Sequence, residues 1–212
     1  MRMAELTRTS GVPVPTIKYY LREGLLPAGE LSPPNQARYD ESHVRRLALI
    51  RALIDVGGLS VADARKVLSA IDDPHTSMHD LLGATMHALT PGPTGEDESE
   101  EYQRALSAVD AMIRRRGWQL GEVTPTRSVA AEVLARLDRL GQQRLIDALD
   151  SYAEAAELIA KTDVALVAGI EGRDARAETA LVGTVLGDVL IAALRRLAQE
   201  HMSSQQFRPP TV

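Results

Sequence analysis

The chain contains no cysteine. Disulfides, thiolate zinc sites, iron–sulfur clusters and a thiol nucleophile are therefore excluded. Aromatic residues are scarce, with five Tyr, one Trp and one Phe in 212 residues. A core must come from Leu, Ala, Val and Ile, a composition that favours helices over a β-sandwich. Long apolar runs are also missing. The longest, Ala180–Leu194, is interrupted by Thr184 and Asp188 and reads as too short to span a bilayer. The first residues, MRMAELTRTSG, lack the apolar stretch of a signal peptide. The expectation is a soluble cytoplasmic protein with no membrane partner.

What is present is unevenly spread. Residues 1–72 hold ten Lys or Arg against eight Asp or Glu, while the remainder holds fourteen against twenty-one, so a front of +2 is joined to a rear of −7. That asymmetry points any polyanion toward the front. Two of the five Tyr stand side by side there, in "SGVPVPTIKYYLREGLLPAG" (residues 10–29), between Lys18 and Arg22.

The pattern along the chain predicts a mainly α protein. Residues 3–9 read as a helix stopped by Gly11. A second helix starts near Pro13, with Pro15 tolerated close to its first turn, and ends at Gly24. Leu25–Tyr39, rich in Pro and Gly, reads as an extended hairpin or wing. Asp40 is an N-cap for a helix carrying Val44, Leu47, Ile50 and Ile54 up to Gly57. Ser60 with Asp63 starts a fourth helix, with Ala64, Val67, Leu68 and Ile71 inward, ending at Asp73-Pro74. His75–Leu89 reads as a short helix, and "TPGPTGEDESEE" (90–101) as a mobile acidic linker. Beyond it, the spacing predicts helices through Tyr102, Leu106, Val109 and Ile113; through Val129, Val133, Leu137 and Leu140; from Gln142 toward Val167; and from Asp174 to Met202, with a frayed tail. The implied division is 1–72, a short helix and linker over 73–101, an all-helical domain over 102–204, and a tail over 205–212.

Helix, turn, helix, wing and helix pair form the layout of a winged-helix DNA reader. The pieces "AEL" (4–6), "SGVPVPTIKYYLREGLLP" (10–27), "ARYDESHVRRLALIRAL" (37–53) and "GGLSVADARKVL" (57–68) together resemble the MerR family of bacterial transcriptional regulators. The resemblance covers about a third of the chain. It implies a homodimer that binds a palindromic promoter operator between spaced promoter elements. It also implies twisting of the DNA so that RNA polymerase engages, under control of an effector. On this reading the candidate DNA-binding residues are Thr16, Lys18, Tyr19, Tyr20 and Arg22 on the second helix, Arg38 and Tyr39 in the wing, and Arg45 and Arg46 on the third. Neighbours in a helix diverge by about 100°, so one of the two Tyr packs and the other offers its hydroxyl to a phosphate. Pro15 stands where the family often has a basic residue. Asn35-Gln36-Ala37-Arg38-Tyr39 departs from the usual Gly-Tyr-Arg-x-Tyr of the wing.

Other side chains carry weaker signals. His75, His79 and His87 are read as surface residues rather than metal ligands. Trp118, Tyr152 and Asp188 are weak candidates for an effector site. Trp118 reads better as an anchor, and Asp188 falls on a polar stripe with Thr184, Arg195 and Gln199. Arg114-Arg115-Arg116 complements a helix C-terminus. Gly183 and Gly187 suit close helix packing. No nucleophile–base pair or paired carboxylates stand out, so neither an enzyme nor a cofactor is expected. An apolar small-molecule effector between the rear helices, or none, remains open. The alternatives are an architectural DNA binder without an effector, or a ligand carrier with a DNA-binding front.

Overall fold

The computed structural model describes residues 1–32, 36–77, 80, 83, 85–86, 89–90, 99–121 and 124–207. It contains two compact units, Met1–Ala88 with Gly172–Val212, and Leu89–Glu171. The sequence grouped the last helix with residues 102–204; by packing it falls with the N-terminal residues.

The first unit begins with α1 (Met3–Ser10) and α2 (Val14–Arg22). Gly11 at φ 68° caps α1, its N–H donating to the Thr7 carbonyl at 2.9 Å. Only a residue without Cβ takes that left-handed conformation at no cost. Pro13 is the N-cap of α2. Leu6, Val12, Ile17, Tyr20, Leu25 and Leu26 are buried and hold the pair together. Strands β1 (Glu30–Ser32) and β2 (Gln36–Arg38) pair antiparallel, with Glu30 opposite Arg38. Gly29 is fixed by close approach: a Cβ there would lie 2.6 Å from the Arg38 carbonyl oxygen and 3.0 Å from the Tyr39 ring.

Asp40 caps α3 (Glu41–Arg51), accepting from the Ser42 and His43 amides at 2.9 and 3.4 Å. The sequence predicts one helix up to Gly57. Instead α3 passes into a π-helical turn over Ala52–Val56, with the Gly57 N–H reaching the Ala52 carbonyl. Ser60 caps α4 (Val61–Asp72), whose Ala64, Val67 and Leu68 are buried as predicted. Much of 73–98, including His79, His87 and most of the predicted linker, lies outside the described residues.

The second unit is built on α5 (Glu100–Arg116) and α6 (Pro125–Arg139). Helix α5 starts at Glu100, inside the segment read as linker, because the Ser99 hydroxyl accepts from the Tyr102 amide at 3.2 Å. The core between the two helices is Ala105, Val109, Ala131, Leu134 and Ala135, flanked by Tyr102, Leu106 and Ile113. Val133 and Leu140, expected inward, are 50% and 69% exposed. On α6 the buried stripe runs through Ala131, Leu134 and Ala135 instead, and Val133 and Leu140 turn outward. Arg127 ties the pair with two 2.6 Å bonds to Asp110. The helix predicted from Gln142 is broken at Ala148 into α7 (Gln143–Asp147) and α8 (Leu149–Ala168). Arg115 reaches Asp150 at 2.7 Å, and Arg116 reaches its carbonyl at 2.6 Å, which fixes the start of α8.

The last helix, α9 (Arg173–Phe207), returns to the first unit. It runs five residues past the predicted end and keeps Ser203–Phe207 helical. Ala177, Ala180, Leu181 and Val185 are buried. Arg173 donates to the carbonyls of Ile71 at 3.3 Å and Thr76 at 2.9 Å, and to that of Asp73, covering the end of α4. The apolar run read as too short to span a bilayer lies in α9, a helix that by length and composition could cross a membrane, with 22% of its most apolar stretch buried; its first turns pack on protein. Beyond Val185 it emerges. Leu190, Leu194 and Leu197 are 58%, 49% and 62% exposed. The space around Gly183 and Gly187 is open, with no helix packed there among the described residues.

Candidate nucleic-acid interface

Helix α2 sorts its residues by face. Ile17 and Tyr20 point into the core, three residues apart. Pro15, Lys18, Tyr19 and Arg22 fall on the opposite stripe and are exposed. The Arg22 guanidinium sits 5.8 Å from the centre of the Tyr19 ring. That stacking holds the ring outward at the edge of a cationic stripe. Thr16 lies between the two faces, half-buried.

The tyrosine pair is thus resolved. Tyr20 is 7% exposed and Tyr19 36%. The rings are 6.0 Å apart and tilted at 48°. Burial raises the Tyr20 hydroxyl above its ordinary pKa, with the Asp55 carboxylate adding to the effect. Tyr39 is buried as well, edge-on to His43 with ring centres 5.2 Å apart, and burial likewise raises its hydroxyl. It ends the hairpin by packing, while its neighbour Arg38 stays exposed.

The two arginines of α3 also divide. Arg45 is exposed. Arg46 turns inward, with its side chain 11% exposed, two bonds to Asp72 at 2.9 and 2.6 Å, and Nε donating to the Leu25 carbonyl at 2.9 Å. It ties α3 to the turn after α2 and to the end of α4. The sequence places both on one basic face. No local signal separates them, because the partner Asp72 is 26 residues away.

The N-terminus of α3 has its own electrostatics. Hydrogen bonds from the Ser42 hydroxyl and the His43 ring, then from the backbone amides of both, hold the Asp40 carboxyl far below the usual carboxylate range. Asp40 Oδ1 and His43 Nδ1 are 2.8 Å apart. His43, buried on α3, is a residue that the sequence reading missed; its spacing of three from the N-cap was the available signal.

The weak effector candidates fall on different elements. Trp118 follows the Gly117 cap and hydrogen-bonds Glu157 through its side chain, so it anchors α8 to the end of α5. Tyr152 is 49% exposed on α8, and Asp188 is exposed on α9.

The comparisons agree with this geometry. Residues 1–71 match the model of the MerR HTH family of regulatory proteins. Over 81 residues the chain is 36% identical to nodulation protein NolA of Bradyrhizobium sp. (strain NC92) and 37% identical to that of Bradyrhizobium elkanii. Those matches take up 38% of this chain and 32% and 35% of the relatives, so the chain spans about a third of their length. The crystal structure of SCO5550 from Streptomyces coelicolor A3(2), described as a proposed transcriptional regulator, aligns over 100% of both chains with TM-score 0.74 and 34% identity. A helix-turn-helix with an exposed cationic stripe and a family match over that segment make residues 1–71 a MerR-family helix-turn-helix domain, in a chain similar over its full length to a transcriptional regulator.

Proposed function

We propose that the chain is a cytoplasmic homodimer that binds a palindromic promoter operator through residues 1–72 and distorts it in response to an effector, so acting on RNA polymerase. The observation that carries the DNA-binding part is the exposed Lys18–Tyr19–Arg22 stripe on α2. A recognition helix places such a face in the major groove, with hydroxyl and basic groups on phosphates and base edges. Arg38 and Arg45 extend the cationic set, and Thr16 lies at its margin. Tyr20, Tyr39 and Arg46 act from behind by holding the elements in place.

Pairing through α9 is supported by the seam Gly183, Gly187, Leu190, Leu194 and Leu197. Its spacing of four, three, four and three is that of a coiled coil. The three Leu are exposed and the two Gly leave room for a second backbone. A dimer supplies two recognition helices and thereby a two-fold site. The residues between form a helical effector-responsive region on this reading.

The test is selection of bound duplexes from a random pool, followed by light scattering of the free protein. An enriched palindrome and a mass near twice 23.0 kDa are expected. A monomer that enriches no sequence overturns the proposal.

A further inference from the structure

We propose that a notch between α5, α6 and α7 binds small apolar amines carrying one positive charge; this rests on the effector-controlled reading above. The notch follows from the alanine-rich packing of the second unit. Where α5 and α6 face each other, Ala105 and Ala108 stand against Leu134, and Ile146 of α7 closes one side. Short side chains on α5 leave a cavity of about 210 Å³, open on one side. An apolar cavity of about 150 Å³ is enough for benzene, so a six-membered ring with one substituent fits. None of Trp118, Tyr152 or Asp188 lines it.

The rim chooses the charge. Glu101, Arg104 and Asp138 stand around the mouth. One guanidinium serves three carboxylates: Arg104 is 3.2 Å from Asp138 and 3.8 Å from each of Glu100 and Glu101. The lining groups therefore sum to one negative charge. Asp138 and Glu101 are each 38% exposed, so both keep part of their field inside the mouth. An ammonium there neutralises the rim while its ring covers Ala105, Ala108, Leu134 and Ile146. A carboxylate guest adds to the excess, and a neutral guest leaves it unchanged. Gln143 at the margin is held by Asp147 at 2.9 Å, so its amide does not reverse the preference.

The experiment titrates the full-length ¹⁵N-labelled protein with cyclohexylamine, cyclohexanol and cyclohexanecarboxylate at neutral pH, following amide shifts. The amine should perturb residues of α5, α6 and α7 saturably. It should bind about three- to fivefold more tightly than the alcohol, the range of a partly exposed ion pair, with the acid weakest. Ala108→Leu, which fills the floor, should abolish these shifts. Asp138→Asn, on the rim, should bring the amine down to the alcohol and needs no repacking of the core. Equal binding of the three probes, shifts elsewhere, or amine selectivity that survives Asp138→Asn overturns the proposal. Binding of a selected duplex is measured on the same sample. Duplex binding without amine shifts removes the notch alone, whereas amine shifts without duplex binding remove the regulator reading alone.

Discussion

A Cβ placed on Gly57 would lie 2.0 Å from Val185 Cγ1, the methyl by which α9 seats against the π-turn after α3. Gly57 has an ordinary helical φ of −75°, so it is required for space and not for conformation. The Leu53 carbonyl, at 2.8 Å from the same point, is backbone and cannot move aside.

Gly57→Ala should therefore overpack this contact and cost about 1–3 kcal/mol. Urea unfolding and amide exchange along residues 177–185 are the measurements. Val185→Ala alone creates a small void, and combined with Gly57→Ala it should recover part of the loss. Full additivity of the two changes would show that they do not share a contact.

Arg45 and Arg46 should separate cleanly despite being neighbours. Arg46→Ala removes the Asp72 pair and the bond to the Leu25 carbonyl. Asp72 is 54% exposed, so part of that pair is screened, and a loss of about 1–3 kcal/mol in stability is expected. Arg45→Ala should leave stability within about 0.5 kcal/mol while lowering DNA affinity. Thermal melts and anisotropy titrations of both variants make the comparison. A reversed pattern would exchange their roles.

This pair also shows what a sequence conceals. The helices of the front were legible because their ends are marked locally, by Gly11, Pro13, Gly24, Asp40 and Ser60. The exposed stripe of α2 was legible only in part: helical spacing separates the two tyrosines, but that Tyr20 packs with Ile17 while Tyr19 faces out is seen only in the fold. Arg46 was not legible, since its partners lie across the fold and a basic side chain reads the same inward or outward. The docking of α9 was hidden for the same reason. Its apolar residues run nearly all round, and the packed face is selected by partners far earlier in the chain, Gly57 against Val185 and the carbonyls that Arg173 reaches. In the second unit, three alanines share the core with Val109 and Leu134 while the larger Val133 and Leu140 turn out, so size alone does not say which residues go in.

Acid should unfold the protein below about pH 4. Asp40, Asp63, Asp73, Asp110 and Glu157 all have folded-state pKa values lowered by hydrogen bonds or cations: Ser42 and His43 at Asp40, Ser60 and Lys66 at Asp63, the His75 amide at Asp73, Arg127 at Asp110 and Lys161 at Glu157. A carboxyl depressed on folding stabilises fully above its unfolded pKa, about 4. That stability is lost as pH falls toward the folded value, because the unfolded state binds the proton first. Stability should hold from neutral pH to about 5 and then decline. Asp40→Ala, which removes the most depressed group, should flatten the decline between about pH 4 and 2 in urea midpoints measured at each pH. An unaltered slope would mean that the capping bonds at Asp40 do not persist in solution.

The final prediction concerns how DNA is held. With Arg46 engaged internally, Lys18, Arg22, Arg38 and Arg45 are the exposed basic groups carried forward from the sequence. If three of them meet phosphate in each protomer, a dimer neutralises six. The slope of log K against log salt should then be about −5, from about −0.9 per phosphate on duplex DNA. Arg38 stands at the end of β2, opposite Glu30 and beside the packed Tyr39, so its backbone is fixed while its side chain is free to reach outward. Arg38→Ala should make the slope shallower by about two, one contact per protomer, and weaken operator and scrambled duplex alike, since phosphate contacts carry no base information. Tyr19→Phe should act differently. It removes one hydroxyl and keeps the ring beside Arg22, so it should cost about 1–2 kcal/mol of affinity with little change in slope. Salt titrations of both variants on both duplexes separate these effects. A slope unchanged by Arg38→Ala, with an altered preferred sequence, would put the hairpin on base edges. A slope and affinity both unchanged would remove the hairpin from the interface and leave α2 and Arg45 as the whole of it.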